Sequence, residues 1–228
     1  MKILAMDTSN KALSLAILEN KELLGQVTLN IKKNHSITLM PAIDFLMNSL
    51  DLKPKDLDRI AVAQGPGSYT GLRIAVATAK TLAHTLKIEL VGVSSLLALV
   101  PEQVEGLVIP IMDARRNNVY AGFYQSGQAV RSEAHLPLVE VLEIAGAANQ
   151  PVTFVGETAA FSEQIKAALP QTAIQPTLPD AAVVGRLGLD LPAQSIHDFV
   201  PNYLKRVEAE ENWLKTHQAS SDSYIQRL

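Results

Sequence analysis

Gln64-Gly65-Pro66-Gly67-Ser68-Tyr69-Thr70-Gly71-Leu72-Arg73 is the stretch around which the chain is built. Before it, Ile60-Ala61-Val62-Ala63 reads as a short buried strand, and after it Leu72 to Leu86 reads as a helix rich in small residues. Three glycines and a proline within seven residues force a sharp, close-packed turn, because glycine accepts positive φ and lets backbones approach. A helix starting there aims unpaired N–H groups outward, which suits an anion. No Gly-Lys-Ser/Thr follows, so no lysine is placed for a β/γ-phosphate as in a Walker A loop. Two readings stand, a structural strand-to-helix elbow and a phosphate cradle. In the helix, Gly71, Ala75, Ala79 and Ala83 recur at i, i+4 and thin one side. Leu72, Val76 and Leu82 add apolar surface, while Lys80, His84 and Lys87 mark the wet side. The thin side either packs within its own domain or extends into another subunit.

Composition narrows the classes. A chain of 228 residues, 47% hydrophobic and 19% charged, suits one large globular domain or two small ones. Net charge is −3, from 20 basic and 23 acidic residues, so there is no strong positive field for unaided nucleic-acid binding. The absence of cysteine excludes disulfides, thiolate catalysis, thiolate zinc sites and iron–sulfur ligation within the chain, and fits the cytoplasm. Met1-Lys2-Ile3-Leu4-Ala5-Met6-Asp7 reaches a carboxylate after four apolar residues, too few for a secretory signal. No apolar run approaches the ~20 residues of a membrane span, so no membrane partner is expected.

Taken in order, Lys2 to Met6 reads as a strand ending at Asp7-Thr8-Ser9-Asn10, and Leu13, Leu15 and Ile17 alternate as a second. Glu22 to Leu29 is a third, so the chain opens as an antiparallel meander. Asp7 at a strand tip is either a turn residue or a holder of a metal–phosphate group, although no glycine follows to let phosphate come close. Ser36 is placed to cap a helix to about Leu50, with the apolar stripe Leu39, Ile43, Leu46, Met47 and Leu50. Ile88 to Val93 is another buried strand, and Ser94 caps a short helix ending by Pro101.

The second half repeats the plan: Leu107 to Met112 runs into Asp113, followed by strands Val119–Gln125 and Ala129–His135. Pro137 opens a helix, Val152 to Val155 is a strand, Thr158 to Leu169 a helix, Ile174 a lone strand, and Asp180 caps a helix through Leu191. The expected architecture is α/β, with two related lobes of mixed sheets and flanking helices. The boundaries are 1–102 for an N-terminal lobe, 103–200 for a C-terminal lobe, and 201–228 for a charged terminal helix that returns to the first lobe.

The meander ending in Met6-Asp7-Thr8-Ser9, His35-Ser36-Ile37-Thr38-Leu39-Met40-Pro41, the glycine elbow, Gly92-Val93-Ser94-Ser95-Leu96, Asp113-Ala114-Arg115-Arg116 with Val119-Tyr120, and Pro201-Asn202-Tyr203-Leu204 together resemble the bacterial TsaB (YeaZ) family. The resemblance spans essentially the whole chain in order, and the elbow with the Asp-Ala-Arg-Arg stretch is its specific part. It implies the two-lobed fold of the actin-like ATPase (ribonuclease H-like) superfamily. It also implies a place in the machinery that puts threonylcarbamoyl on N6 of adenosine 37 in tRNAs reading ANN codons. There TsaB is a partner subunit, its paralogue TsaD holds the active site with ATP and metal, and TsaE supplies an associated ATPase. Any nucleotide of this subunit would lie near the junction of the three proteins, and tRNA would be met only through the complex.

The catalytic paralogues carry a His-x-x-x-His pair after the strand that follows the elbow. By resemblance those two positions are Ser95 and Leu99 here; a leucine cannot ligate a metal and a serine hydroxyl is a poor substitute for an imidazole. The histidines at 35, 84, 135, 197 and 217 show no i, i+4 pairing. No Gly-x-Ser-x-Gly elbow is present for a hydrolase triad. No catalytic or metal residue is expected; Asp7 and Gly67 are the weak cofactor candidates. Arg115-Arg116 is open between a phosphate or carboxylate contact and a solvated hairpin turn; Lys205-Arg206 reads as a solvated face. The resemblance implies heterodimerisation with TsaD, or self-association without it, and the surface assigned to it is Leu39, Ile43, Leu46, Leu72, Ala75, Val76, Ala79 and Ala83. The competing readings are an independent nucleotide-dependent enzyme such as a small kinase, which needs phosphate loops in both lobes, and a metalloprotease, which needs a metal cluster.

Overall fold

The computed structural model describes residues 1–31, 34–101 and 103–205. The expected terminal helix to about His217 lies outside these residues beyond Lys205. The first lobe contains β1 (Lys2–Asp7), β2 (Leu13–Glu19), β3 (Glu22–Leu29), α1 (His35–Ser49), β4 (Arg59–Gly65), α2 (Tyr69–Leu86) and β5 (Glu89–Ser94). The second contains β6 (Leu107–Asp113), β7 (Asn118–Gln125), β8 (Gln128–Pro137), α3 (Leu138–Gly146), β9 (Val152–Gly156), α4 (Ser162–Ala168) and β10 (Ala173–Pro176), and is followed by α5 (Ala181–Asp190). The sheet orders are β3-β2-β1-β4-β5 and β10-β9-β6-β7-β8. Read from the meander outward, the second order repeats the first, so the duplicated plan is real. Each sheet joins an antiparallel meander to two parallel strands.

Period-two alternation sorts the first sheet into two faces. Leu4, Met6, Leu15, Ile17, Ile60 and Val62 face α1 and α2, while Ile3, Ala5, Ala16, Leu18, Ala61 and Ala63 face α5. α5 is therefore part of the first lobe's core, although it comes after the second lobe in the chain. This corrects the expected boundary: the return to the first lobe begins at Asp180, not at residue 201. The cause is a thin helix face. A Cβ on Gly188 would stand 2.7 Å from the fixed Ala61 Cβ, so the glycine there lets α5 lie this close to the sheet, and one on Gly185, 2.2 Å from Leu18 Cδ1, would force that leucine to swing aside. Arg59 then fastens its end, donating from Nη1 to the carbonyls of Gly188, Leu189 and Leu191 while its Nε holds Glu89 at 2.8 Å.

Local boundaries shift for identifiable reasons. Asn34, not Ser36, caps α1, its Oδ1 accepting the Ser36 N–H at 3.1 Å. Ser68 caps α2, so that helix begins at Tyr69, three residues before the apolar run suggested. The helix expected from Thr158 splits into a short 3₁₀ turn at Ala159–Phe161 and α4.

In the second sheet Ile109, Ile111, Ala121, Phe123 and Phe154 face α3 and α4. On the other face, Val108, Met112, Tyr124 and Val155 meet Leu96, Leu99 and Val100 from the first lobe. That apolar contact joins the lobes.

Candidate functional site

The tip of β1 and the glycine elbow are one packed unit. Thr8 Oγ1 donates to the Gly71 carbonyl at 2.7 Å, and the Ser68 N–H donates to the Ser9 carbonyl at 2.6 Å. A Cβ on Gly67 would lie 2.3 Å from Ser9 O, and one on Gly71 2.0 Å from Thr8 O. The close approach that the glycines permit is thus occupied by the chain's own backbone. This is what a structural elbow does, and it brings both weak cofactor candidates, Asp7 and Gly67, into a protein–protein contact within the fold. Asp7 is fully buried; one carboxylate oxygen accepts the Ser9 N–H at 2.7 Å, and the other has no hydrogen-bond partner among the described residues. Burial pushes this carboxyl above its ordinary range.

The two positions matched to the histidine pair are also used internally. Ser95 is buried, its Oγ accepting the Gly65 N–H at 3.1 Å, so it supports the elbow. Leu99 packs between the lobes. Among the described residues no group of three or more His, Asp or Glu side chains is arranged to hold a metal ion.

Asp113, the counterpart of Asp7, behaves differently. It is exposed, and its Oδ1 accepts the Arg115 N–H at 2.8 Å at the start of a tight hairpin. Arg115, Arg116 and Asn117 all have positive φ, at 71°, 53° and 57°. Three consecutive non-glycine residues there are costly, of order 1 kcal/mol or more each. Asn118 offsets part of that cost by donating from Nδ2 to the Arg115 and Arg116 carbonyls. Arg115 reaches solvent, 83% exposed, its guanidinium 3.7 Å from Asp113.

The expected partner surface needs correction. Leu39, Ile43, Leu46, Leu72, Ala75, Val76, Ala79 and Ala83 are all buried in the first lobe's own core. The thin face of α2 exists to seat that helix on its sheet. The same two helices nonetheless carry apolar surface outward. On α1, Ile37 is 67%, Met40 47% and Phe45 62% exposed, with Pro41 exposed between them. The spacing i, i+3, i+4, i+8 makes one stripe. At the start of α2, Tyr69 and Tyr203 stack at 5.0 Å between centroids, and Arg73 donates to the Tyr69 hydroxyl at 2.7 Å. The signal for α1 was present in the sequence: a 15-residue helix with Asp44 as its sole acidic or basic residue besides His35 is apolar on more than one side.

A family model described as TsaD: tRNA N6-adenosine threonylcarbamoyltransferase matches residues 22–213. The Bacillus subtilis (strain 168) protein named tRNA threonylcarbamoyladenosine biosynthesis protein TsaB is 40% identical over 228 residues, covering 95% of this chain and 99% of that one. The chain belongs to the TsaB family. It is accordingly a protein of tRNA threonylcarbamoyladenosine biosynthesis. Among solved structures, YeaZ from Pseudomonas aeruginosa aligns with a TM-score of 0.75 at 28% identity, over 89% of this chain and 99% of that one. The activator of 2-hydroxyisocaproyl-CoA dehydratase from Clostridium difficile, solved with bound ADPNP, aligns at 0.50 and 12% identity over 97% of this chain and 100% of that one. At that identity the likeness concerns the fold alone, two α/β lobes of mixed sheets with flanking helices. Among the described residues of this TsaB-family chain no helix is long and apolar enough to cross a membrane.

Proposed function

We propose that this chain is a non-catalytic subunit that heterodimerises with TsaD through the outer face of α1 and α2, and thereby supports formation of N6-threonylcarbamoyladenosine at position 37 of tRNAs reading ANN codons. The observation that carries the reading is the exposed stripe Ile37, Met40, Pro41 and Phe45. A contiguous apolar face on a packed helix marks association. The match of the TsaD family model to residues 22–213, a span that includes both helices, supports TsaD as the occupant, since a partner built on the same lobe can meet this one symmetrically. A partner built on the same lobe presents an equivalent helix pair, and two such pairs form a four-helix layer about a pseudo-two-fold axis. Without TsaD, a second copy can take the same place. The non-catalytic role is supported by Ser95 and Leu99 at the ligand positions and by an elbow filled with its own backbone. ATP and metal chemistry then belongs to TsaD and TsaE, and tRNA is engaged through the complex in the cytoplasm.

Phe45→Asp tests the surface directly. Because Phe45 is 62% exposed, the variant should keep its unfolding midpoint while losing co-elution with TsaD on size exclusion. Reconstituted tRNA modification with TsaD should fall with it. Undisturbed co-elution, or threonylcarbamoyl transfer by the lone chain, would overturn the proposal.

A further inference from the structure

The edge of the second sheet contains an irregularity that the docking surface does not involve. In the β7–β8 pairing Ala121 faces Ala134, yet Phe123 faces Arg131. Between these pairs, Ser132 and Glu133 on β8 oppose Gly122 alone on β7. That is a β-bulge, and a bulge re-aims the side chains around it. Here it directs Glu133 toward the first lobe.

Glu133 Oε1 accepts hydrogen bonds from two hydroxyls, Tyr124 O–H on β7 and Ser94 Oγ–H at the end of β5. Ser94 belongs to the first lobe and Tyr124 to the second. Ser94 Oγ in turn accepts the N–H groups of Leu96 and Leu97, both at 3.1 Å, which shapes the segment leading out of the first lobe. The Tyr124 ring is held by what lies beneath it: a Cβ on Gly122 would stand 2.5 Å from Tyr124 Cε2, so the missing side chain makes the ring's seat. Around this group Leu96, Leu99 and Val100 pack on Val108, Met112 and Val155. Glu133 is half-buried and makes no ion pair among the described residues. A carboxylate at an apolar seam is tolerable only when hydrogen bonds satisfy it, and those bonds are directional where the surrounding contact is not.

We infer that Glu133, aimed by the bulge, is a clasp that fixes the second lobe against the first in one orientation, so that the chain meets its partners as a rigid body. The fixed orientation ties the outer face of α1 and α2 to the Arg115 hairpin on the other lobe. The clasp is internal and holds whether or not TsaD is the partner.

Hydrogen–deuterium exchange on the full chain tests it. In Glu133→Ala, Ser94 loses its acceptor and its Oγ is free to rotate away from the Leu96 and Leu97 amides. Exchange at those two amides should rise about tenfold or more, the scale of a lost hydrogen bond to a charged group. Amides of the β1–β2 ladder, such as Leu4 and Leu15, should exchange as before. X-ray scattering of the same variant should show a broader interatomic distance distribution. Unchanged exchange at Leu96 and Leu97, or an equal rise throughout the β1–β2 ladder, would overturn the clasp. If Glu133→Ala does not fold, Tyr124→Phe removes one of the two hydroxyls without a cavity. It should raise exchange at the same two amides to a smaller degree, and no rise there would again overturn it. Gln128→Ala, exposed at the start of the same strand and away from the bulge, is the control expected to change nothing at these amides.

Discussion

In the first lobe both faces of the sheet are sealed by helices, α1 and α2 on one side and α5 on the other; in the second lobe α3 and α4 seal one face and, among the described residues, the other packs on a short segment of the first lobe. The strand orders match, so the difference is not one of topology. It arises because the second half of the chain supplies a helix, α5, that completes the first half's core. The strand tips diverge in the same sense. Asp7 is sealed under the glycine elbow, whereas Asp113 stands in solvent at the base of a strained arginine hairpin. One copy of the plan packs its strand tip against its own backbone, and the other leaves that tip exposed.

The largest expected effect separates the inner and outer faces of helices that look alike in composition. Ala79 is fully buried where α2 meets its sheet. Ala79→Arg puts an unpaired charge and excess volume into that contact, and should cost more than about 4 kcal/mol and abolish the cooperative urea transition. Val139 lies on the outer side of α3 in the second lobe, 60% exposed. Val139→Arg should stay within about 0.5 kcal/mol of the parent. A folded, stable Ala79→Arg protein would restore the thin face of α2 as an external surface.

The next effect compares two glycines. A Cβ on Gly71 would meet the Thr8 carbonyl at 2.0 Å, and neither the helix start nor the β1 loop can move without breaking the Thr8–Gly71 hydrogen bond. Gly71→Ala should therefore destabilise by about 2–4 kcal/mol, measured by urea unfolding. Gly127, in the β7–β8 hairpin, has φ of +74° but nothing within 4 Å of a built Cβ. Gly127→Ala should lose only about 1 kcal/mol, the cost of the backbone conformation alone. Equal losses at both sites would mean that the elbow is no tighter than an open hairpin.

The strand order and the duplication were legible because short apolar runs ending at Asp7 and Asp113 recur at the same place in each half. What periodicity could not give was direction. Leu39, Ile43 and Leu46 form one stripe of α1 and Ile37, Met40 and Phe45 another, and spacing alone says which residues share a face, not which face points inward. The thin face of α2 is visible in the spacing, but whether small residues seat a helix on a sheet or on another subunit depends on where the sheet is. α5 was misplaced for a similar reason: its partners, Ala5, Leu18 and Ala61, are more than a hundred residues away, although Gly185 and Gly188 hinted at a close approach. That the elbow's glycines admit the Thr8 and Ser9 backbone is likewise a tertiary contact, which no local motif specifies. The bulge that aims Glu133 is a property of cross-strand register and leaves no mark in β8 itself.

The smallest expected effect sharpens the contrast between the strand tips. Burial raises the Asp7 carboxyl in the folded chain above its ordinary value near 3.8. As pH rises past that value, the unfolded chain releases this proton while the folded chain retains it. The folded state then binds more protons than the unfolded one, and stability falls with rising pH. The loss continues until the folded-state value is passed and is constant above it. This group's contribution is thus most favourable in acid, opposite in sign to Glu19, which its partner Lys2 holds below its usual range. Asn at position 7 keeps an oxygen for the Ser9 N–H but cannot ionise. Subtracting the Asp7→Asn stability–pH profile from that of the parent isolates the Asp7 contribution. The difference should decline from its acid value as pH rises above about 4 and then level off. A difference that instead grows with pH would mean that Asp7 is held as a stabilised anion, and that the tip of β1 carries a charge despite its burial.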